Sequence, residues 1–338
     1  MLHLFSRRGD MIILQQQIRL FFLAWCWFDV IKPSLTLSEG SRPREMMIRI
    51  ILENGFILMT LSAFFYAVTD ILIKFISPSI GPIPIAFVRF LLGGLILLPF
   101  LVQGHESLKG SSTRVLLLRG LTGTLAFFCL VKSIAMIPLS NAVVLFYTFP
   151  LFTTFFSFLL LKETLKKLEV LLTVIGLIGI YILINPGSHS YSLGHVFGVL
   201  AGGFAGLTIV LVRKVRKTNG PLIIYFYFCL VGGTVSFPFF IVNFTMPNLE
   251  LVLLLIVLAV IFLVAQLLMN QGLKYCRASE GATILMSEVV FTGIAGVLLF
   301  EDYLGLGFLV GAFLIVGCGV GLNLIERDHS SSYTMSNP

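Results

Sequence analysis

Ten apolar runs follow one another along this chain: 55–77, 82–102, 115–136, 139–161, 167–185, 194–214, 221–243, 249–271, 279–300 and 304–325. A helix rises about 1.5 Å per residue, so roughly 20 apolar residues cross a hydrocarbon core of about 30 Å. The turns between runs carry chain breakers: Ser77-Pro78 with Gly81-Pro82, Asn185-Pro186-Gly187, Asn219-Gly220-Pro221 and Met246-Pro247-Asn248. The pattern predicts ten transmembrane helices. The fourth run, within Leu139–Leu165, enters on Ser140 and Asn141, holds Pro150 in its interior and stops at Lys162-Glu163. A related arrangement recurs over Ser279–Leu304, where an apolar helix closes on Glu301.

The two ends depart from this rhythm. Residues 1–54 read as an N-terminal extension, in which Ile18–Val30 is apolar but too short to span and holds both tryptophans and Asp29. It fits an interfacial segment, or an upstream stretch ahead of a start at Met46 or Met47. From Glu326 the chain turns polar, and 326–338 is expected to be a disordered cytoplasmic tail.

Composition removes the soluble alternative. Hydrophobic residues are 57% of the chain, charged residues 12%, and mean hydropathy is +1.01; an ordinary globular domain is about 25% charged. A membrane barrel would need alternating ten-residue strands, which are absent. The net charge of +7 sits mostly in turns. Those after the second, fourth, sixth and eighth spans, with the adjoining helix ends, carry Lys109, Arg114, Arg119, Lys162, Lys166, Lys167, Arg213, Lys214, Arg216, Lys217, Lys274 and Arg277, whereas the other turns have only Lys74 and Lys132 close by. Positive residues mark cytoplasmic loops, which places both termini in the cytoplasm and the protein in a cell membrane, with no call for a nucleic-acid partner. Cys26, Cys129, Cys229, Cys276 and Cys318 form no CxxC pair and read as helix-packing residues.

The runs divide into two similar halves. Sliding the first span onto the sixth aligns Phe65 with Phe204, Thr69 with Thr208, Leu72 with Leu211 and Lys74 with Arg213. A spacing one residue shorter aligns Leu161-Lys162-Glu163 with Leu299-Phe300-Glu301, and Gly179 with Gly317. The halves cover 55–186 and 194–325 with five helices each, and an odd number inverts the second in the membrane. Inverted repeats are an architecture of secondary transporters. The chain resembles the drug/metabolite transporter superfamily, in members built from two EamA-like domains, through Arg89-Phe90, Leu118-Arg119-Gly120, Ala142 with Pro150-Leu151-Phe152, Leu161-Lys162-Glu163, Glu288 and Glu301. Members often carry Glu-Pro in the ninth helix where this chain reads Glu288-Val289, so no proline kink is expected there. The resemblance implies a ten-helix permease with a central cavity between the repeats, moving a small organic metabolite such as an amino acid, a nucleoside-like compound or a drug.

Ionisable groups within a membrane cost about 2.5–3.5 kcal/mol each on insertion scales and are functional candidates for that reason. Asp70 and Arg89 fall at similar depth, roughly 10 Å from the outer interface, with Lys74 one turn above Asp70. They form either an outer cluster that binds or gates a polar solute, or a structural Asp–Arg pair docking the first two helices. Glu288 lies inside the ninth run with no basic residue beside it. Loss of water disfavours a carboxylate's charged form, which suits Glu288 to proton exchange or to a cationic solute; the alternative is a neutral acid bonded to Gln266 or Asn270. Tyr147 and Thr148, with Gln266 and Asn270, are candidates for a cavity wall. Glu163 and Glu301 read as structural, and Arg119 and Arg213 as side chains that snorkel to the cytoplasmic surface. Gly198, Gly202 and Gly206, then Gly307 and Gly311, recur at four-residue spacing, which permits close helix packing within one molecule or between two.

Function thus narrows to a secondary transporter working by alternating access, driven by protons or by a counter-substrate, as monomer or homodimer. The solute path is expected between Pro150 and Glu288. An embedded enzyme finds no support in HExxH, GxSxG or P-loop motifs, no cofactor or metal is expected, and a passive channel is the remaining rival. The mixed charges of Asp70, Lys74 and Arg89 favour a zwitterionic or anionic solute.

Overall fold

The computed structural model describes residues 53–76, 79–103, 110–137, 139–163, 167–184, 192–242, 248–300 and 306–335. The extension over 1–52 and Glu301 lie outside the described residues. The helices are α1 Gly55–Ile76, α2 Pro82–Gln103, α3 Thr113–Met136, α4 Leu139–Phe146, α5 Phe149–Phe156, α6 Lys167–Ile184, α7 Leu193–Val215, α8 Pro221–Val242, α9 Leu249–Tyr275, α10 Ala278–Leu285, α11 Ser287–Phe300 and α12 Leu306–Met335. Among the described residues, seven segments have the length and hydropathy of a membrane span, including Ala142–Leu161 taken across α4 and α5. The other three predicted spans are α6, the two-piece α10–α11, and α12, whose apolar part is Leu306–Gly321. The chain is an all-helical multi-pass membrane protein. Phe155, Leu298 and Phe313 are among the many large apolar side chains on the outside, where lipid replaces a hydrophobic partner.

Local sequence explains the helix ends. Pro82 and Pro221 open α2 and α8, where the missing N–H is no loss and the ring presets φ. Asn248 caps α9 by accepting from the Leu251 N–H at 2.9 Å. The fourth span leaves α5 through a π-helical turn, Ser157–Leu161, and ends at Lys162 in the left-handed conformation. At the C-terminus α12 continues through residues 326–335, where polarity predicts disorder; once nucleated, a helix gains a hydrogen bond with each residue added.

The packing obeys an exchange of halves. Helix α3 packs on α7 as α9 packs on α1, and α4 and α5 pack on α7 as α10 and α11 pack on α1. Helices α2 and α8 pack on each other, as do α6 and α12. Each half therefore completes itself on the other: α1 and α2 both lie against α9. Pro82, Gly93, Gly94 and Pro99 of the first half recur at one constant spacing as Pro221, Gly232, Gly233 and Pro238 of the second. The glycines let α2 and α8 interlock, since a Cβ on Gly93 would stand 2.6 Å from the Tyr225 hydroxyl and one on Gly232 2.6 Å from the Phe90 ring. The α7 glycines are used within the molecule, against α4 and α5: a Cβ on Gly202 would meet the Leu145 and Phe146 carbonyls at 3.0 Å. Gly307 and Gly179 bring α6 and α12 together in the same way, facing the Ile182 and Gly311 carbonyls at 3.1 and 3.0 Å.

Lys/Arg-rich helix ends meet at one end of the bundle, called the basic end below. There Arg213 stands 3.8 Å from Glu163 and donates to the Leu273 and Lys274 carbonyls at 2.7 Å each. Arg213 therefore binds last-turn carbonyls of α9 that lack helical donors.

Candidate functional site

Two broken helices place the functional side chains. Pro150 has no N–H, so the Phe146 carbonyl loses its helical donor. The chain instead makes shorter loops, Thr148 N–H to Leu145 O at 3.2 Å and Leu151 N–H to Thr148 O at 3.0 Å. The second half makes the equivalent pair, Met286 N–H to Thr283 O at 3.1 Å and Val289 N–H to Met286 O at 3.2 Å. The ninth span is thus broken although it lacks the proline. A back-bonded hydroxyl accompanies each break: Ser287 Oγ donates to Ile284 O at 2.7 Å, as Thr148 Oγ1 donates to Leu145 O at 2.6 Å in the first half, a contact that often bends helices.

The breaks set Tyr147 at the end of α4 and Glu288 in the first turn of α11. The Glu288 carboxyl lies beside the Tyr147 hydroxyl and the Asp70 carboxyl of α1. Two carboxyls this close can share a hydrogen bond when the pair holds one proton, since an ionised carboxylate only accepts. Asp70 and Glu288 are each partly accessible, while Tyr147 is buried. Helix dipole and chemistry agree here, since the first turn of α11 offers N–H groups to an acidic side chain.

A cationic wall stands near this acidic one. Arg89 of α2 is 6% exposed, with its guanidinium carbon 3.9 Å from the Phe262 ring centre and 5.0 Å from that of Phe90. Arg119 of α3 is 0% exposed, 4.1 Å from the Phe228 ring centre, and donates to Gln266 Oε1 at 2.8 Å. Buried cation–π contacts of this kind contribute about 2 kcal/mol. Among the described residues no carboxylate forms a contact ion pair with either arginine. Tyr66 of α1 stands within electrostatic range of Asp70, Glu288, Arg89 and Arg119. Its ring sits 5.7 Å from Phe262 and its hydroxyl 3.6 Å from Met269 Sδ.

The structure assembles Asp70, Glu288, Tyr147 and, at longer range, Arg89. It changes the partners expected of the rest. Glu288 lies beside Asp70 and Tyr147 rather than Gln266 or Asn270; Gln266 serves Arg119, and Asn270 Nδ2 donates to Pro221 O at 3.2 Å. Arg119 is buried against α8 and α9 and does not snorkel, because Phe228 and Gln266 accept its guanidinium inside the bundle. Asp70 and Arg89 form no contact ion pair: Arg89 stands over the Phe262 ring of α9, and Asp70 lies beside Glu288 of α11. Lys74 is exposed near the end of α1. Pro150 is buried, and α5 packs on α10. Tyr66 was not apparent from sequence, where its only signal is its place one turn before Asp70. Gln266→Leu is expected to cost about 1–3 kcal/mol by stranding the Arg119 donor, read as a lowered melting temperature in detergent.

Comparison with known proteins agrees with this architecture. The EamA-like transporter family matches the chain twice, over residues 53–185 and 192–324. The chain is 28% identical to the pseudopaline exporter of Pseudomonas aeruginosa (strain UCBPP-PA14), over 83% of this chain and 100% of that protein. It is 26% identical to the S-adenosylmethionine uptake transporter of Rickettsia prowazekii, over 82% and 95%, and 24% identical to human solute carrier family 35 member G1, over 90% and 88%. A solved crystal structure shares the fold with a TM-score of 0.69 at 18% identity, covering 81% of this chain and 99% of the other. Two matched copies spanning nearly the whole helical region settle the matter: the chain belongs to the EamA-like transporter family.

Proposed function

We propose that the protein is a secondary transporter of a small organic solute carrying both a cationic and an anionic group, coupled to protons and working by alternating access. The observation that carries this reading is the pairing of Asp70 with Glu288. It brings together a carboxyl from each half, Glu288 standing at a helix break, and such a pair can hold a proton that a solute cation displaces. The acidic wall of Asp70 and Glu288 suits an ammonium group, and Arg89 with Arg119 suits a carboxylate. Tyr66 and Tyr147 offer apolar faces with polar tips, suited to an organic body. Two near-equivalent halves give two near-equivalent states, open to opposite sides. In this reading both termini are cytoplasmic, the solute passes between Pro150 and Glu288, and Gln266 and Asn270 brace the cavity wall. The relatives are named for export in one case and uptake in another, and both are named for organic solutes.

Reconstituted vesicles with an imposed pH gradient test the proposal. Uptake of amino-acid-like zwitterions is expected to be saturable and to collapse with a protonophore. Analogues lacking the carboxylate are expected to compete at least about tenfold more weakly, the effect of about 1.4 kcal/mol. Linear flux indifferent to the protonophore would instead identify a passive channel.

A further inference from the structure

The exchange of halves that governs most of the packing is not complete. At the basic end α7 packs on α9 and on α10, α5 packs on α10, and α6 packs on α10. Exchanging the halves turns these into α1 on α3, α1 on α4, α11 on α4 and α12 on α4. None of these four mates packs in the same way among the described residues. The helices are therefore drawn together at the basic end and not at the opposite one.

Specific polar contacts tie the closed end. Arg213 of α7, beside Glu163, donates to the Leu273 and Lys274 carbonyls of α9. Arg216, just beyond α7, donates to Gln271 of α9. Arg277, at the start of α10, pairs with Glu169 of α6, whose other carboxylate oxygen accepts from Ser279 Oγ at 3.4 Å. Glu280 accepts from the Arg277 N–H at 2.9 Å, and Thr173 and Thr283 bond at 3.1 Å one turn deeper. Glu169 is buried with 2% exposure, and such charge-assisted contacts are individually strong where water is scarce.

We infer that these contacts form a latch that closes the basic end, and that the latch must open in every transport cycle. The inference rests on the transport reading for the word cycle, but not for the closure. In this state α1 and α9 with the α10–α11 span form one group, and α3 and α7 with the α4–α5 span form the other. Arg213 and Arg216 clamp the second group to the last turn of the first, while Arg277 and Glu169 pin α10 to α6. Opening breaks these bonds and, by the exchange of halves, closes the mates at the far end.

The test uses Lys214→Cys with Lys274→Cys, exposed positions beside the Arg213–Lys274 contact, in a protein whose five native cysteines are alanine. A short, reducible bifunctional crosslinker is expected to stop transport in vesicles, and reductant to restore it. Turnover of the linked protein at the unlinked rate would overturn the latch. A second measurement needs no solute: spin labels at 214 and 274 report the opening directly. Glu169→Gln is expected to raise the long-distance population about tenfold, with an unchanged melting temperature showing that the fold holds. An unchanged distance distribution would also overturn it. If the unlinked protein moves no solute while the distances still shift, the transport reading fails and the latch stands.

Discussion

Glu288→Gln is expected to bring solute accumulation driven by a one-unit pH gradient from about tenfold down to about one. A one-unit gradient supplies about 1.4 kcal/mol per proton, which supports a tenfold concentration ratio at one proton per solute. Glutamine matches the shape of glutamic acid and its amide N–H can donate to Asp70, so the contact between the halves survives. What it cannot do is release and rebind a proton. Counterflow, in which labelled solute exchanges against unlabelled solute with no gradient, should therefore persist in the variant. Glu288→Asp keeps the proton but withdraws the carboxyl from Tyr147, so accumulation should fall partway, and Tyr147→Phe should act more mildly still. Asp70→Asn provides the complementary case, because it removes the other carboxyl of the same pair. Accumulation is measured in vesicles at matched protein content, with thermal melting to exclude unfolding. Full accumulation by Glu288→Gln would show that the coupling proton is carried elsewhere.

The helical spans and the two halves were legible because they depend on run length and on spacing, which a linear sequence records. The break near Pro150 was legible for the same kind of reason: one residue lacks one N–H. Its counterpart at Met286 was not, because no proline stands there and the Ser287 hydroxyl that reaches back to Ile284 O is a residue type that more often leaves a helix straight. Side-chain partners were the least legible part. Depth along a helix follows from residue number, but the direction in which a side chain faces depends on which helix lies beside it. Since α1 packs on α9 and α11 of the other half, Asp70 meets Glu288 and not Arg89. Arg119 shows the same limit. Counted from the helix start it is shallow enough to snorkel, yet it faces Phe228 and Gln266, where ring and amide replace water. The recurrence of Gly93-Gly94 and Pro99 as Gly232-Gly233 and Pro238 was present in the sequence. It reinforces the repeat more strongly than shared leucines and phenylalanines, because backbone-determining residues are harder to match by chance.

Gly206→Leu is expected to be the most damaging single substitution for folding, with Gly203→Leu three positions away well tolerated. A Cβ on Gly206 would lie 2.8 Å from the Phe149 carbonyl, the Phe152 Cβ and the Thr153 nitrogen. Two of those atoms are backbone and the third is fixed to it, so no rotamer change relieves the clash, and α7 must part from α5. Overpacking alone costs about 1–3 kcal/mol in a well-packed core, and separating the helices adds the loss of dispersion contacts along them. A Cβ on Gly203 meets nothing nearer than the Phe152 ring at 4.0 Å, an ordinary contact. The comparison is read as the fraction of monodisperse protein on size exclusion and as the melting temperature. Gly202→Ala is intermediate: its nearest contact, the Thr148 hydroxyl at 2.7 Å, can rotate, but only by giving up its bond to Leu145 O. That bond is part of the bend that presents Tyr147 to Glu288. Gly202→Ala should therefore impair transport more than stability, which separates the role of α7 as packing surface from its role in holding the broken helix in shape.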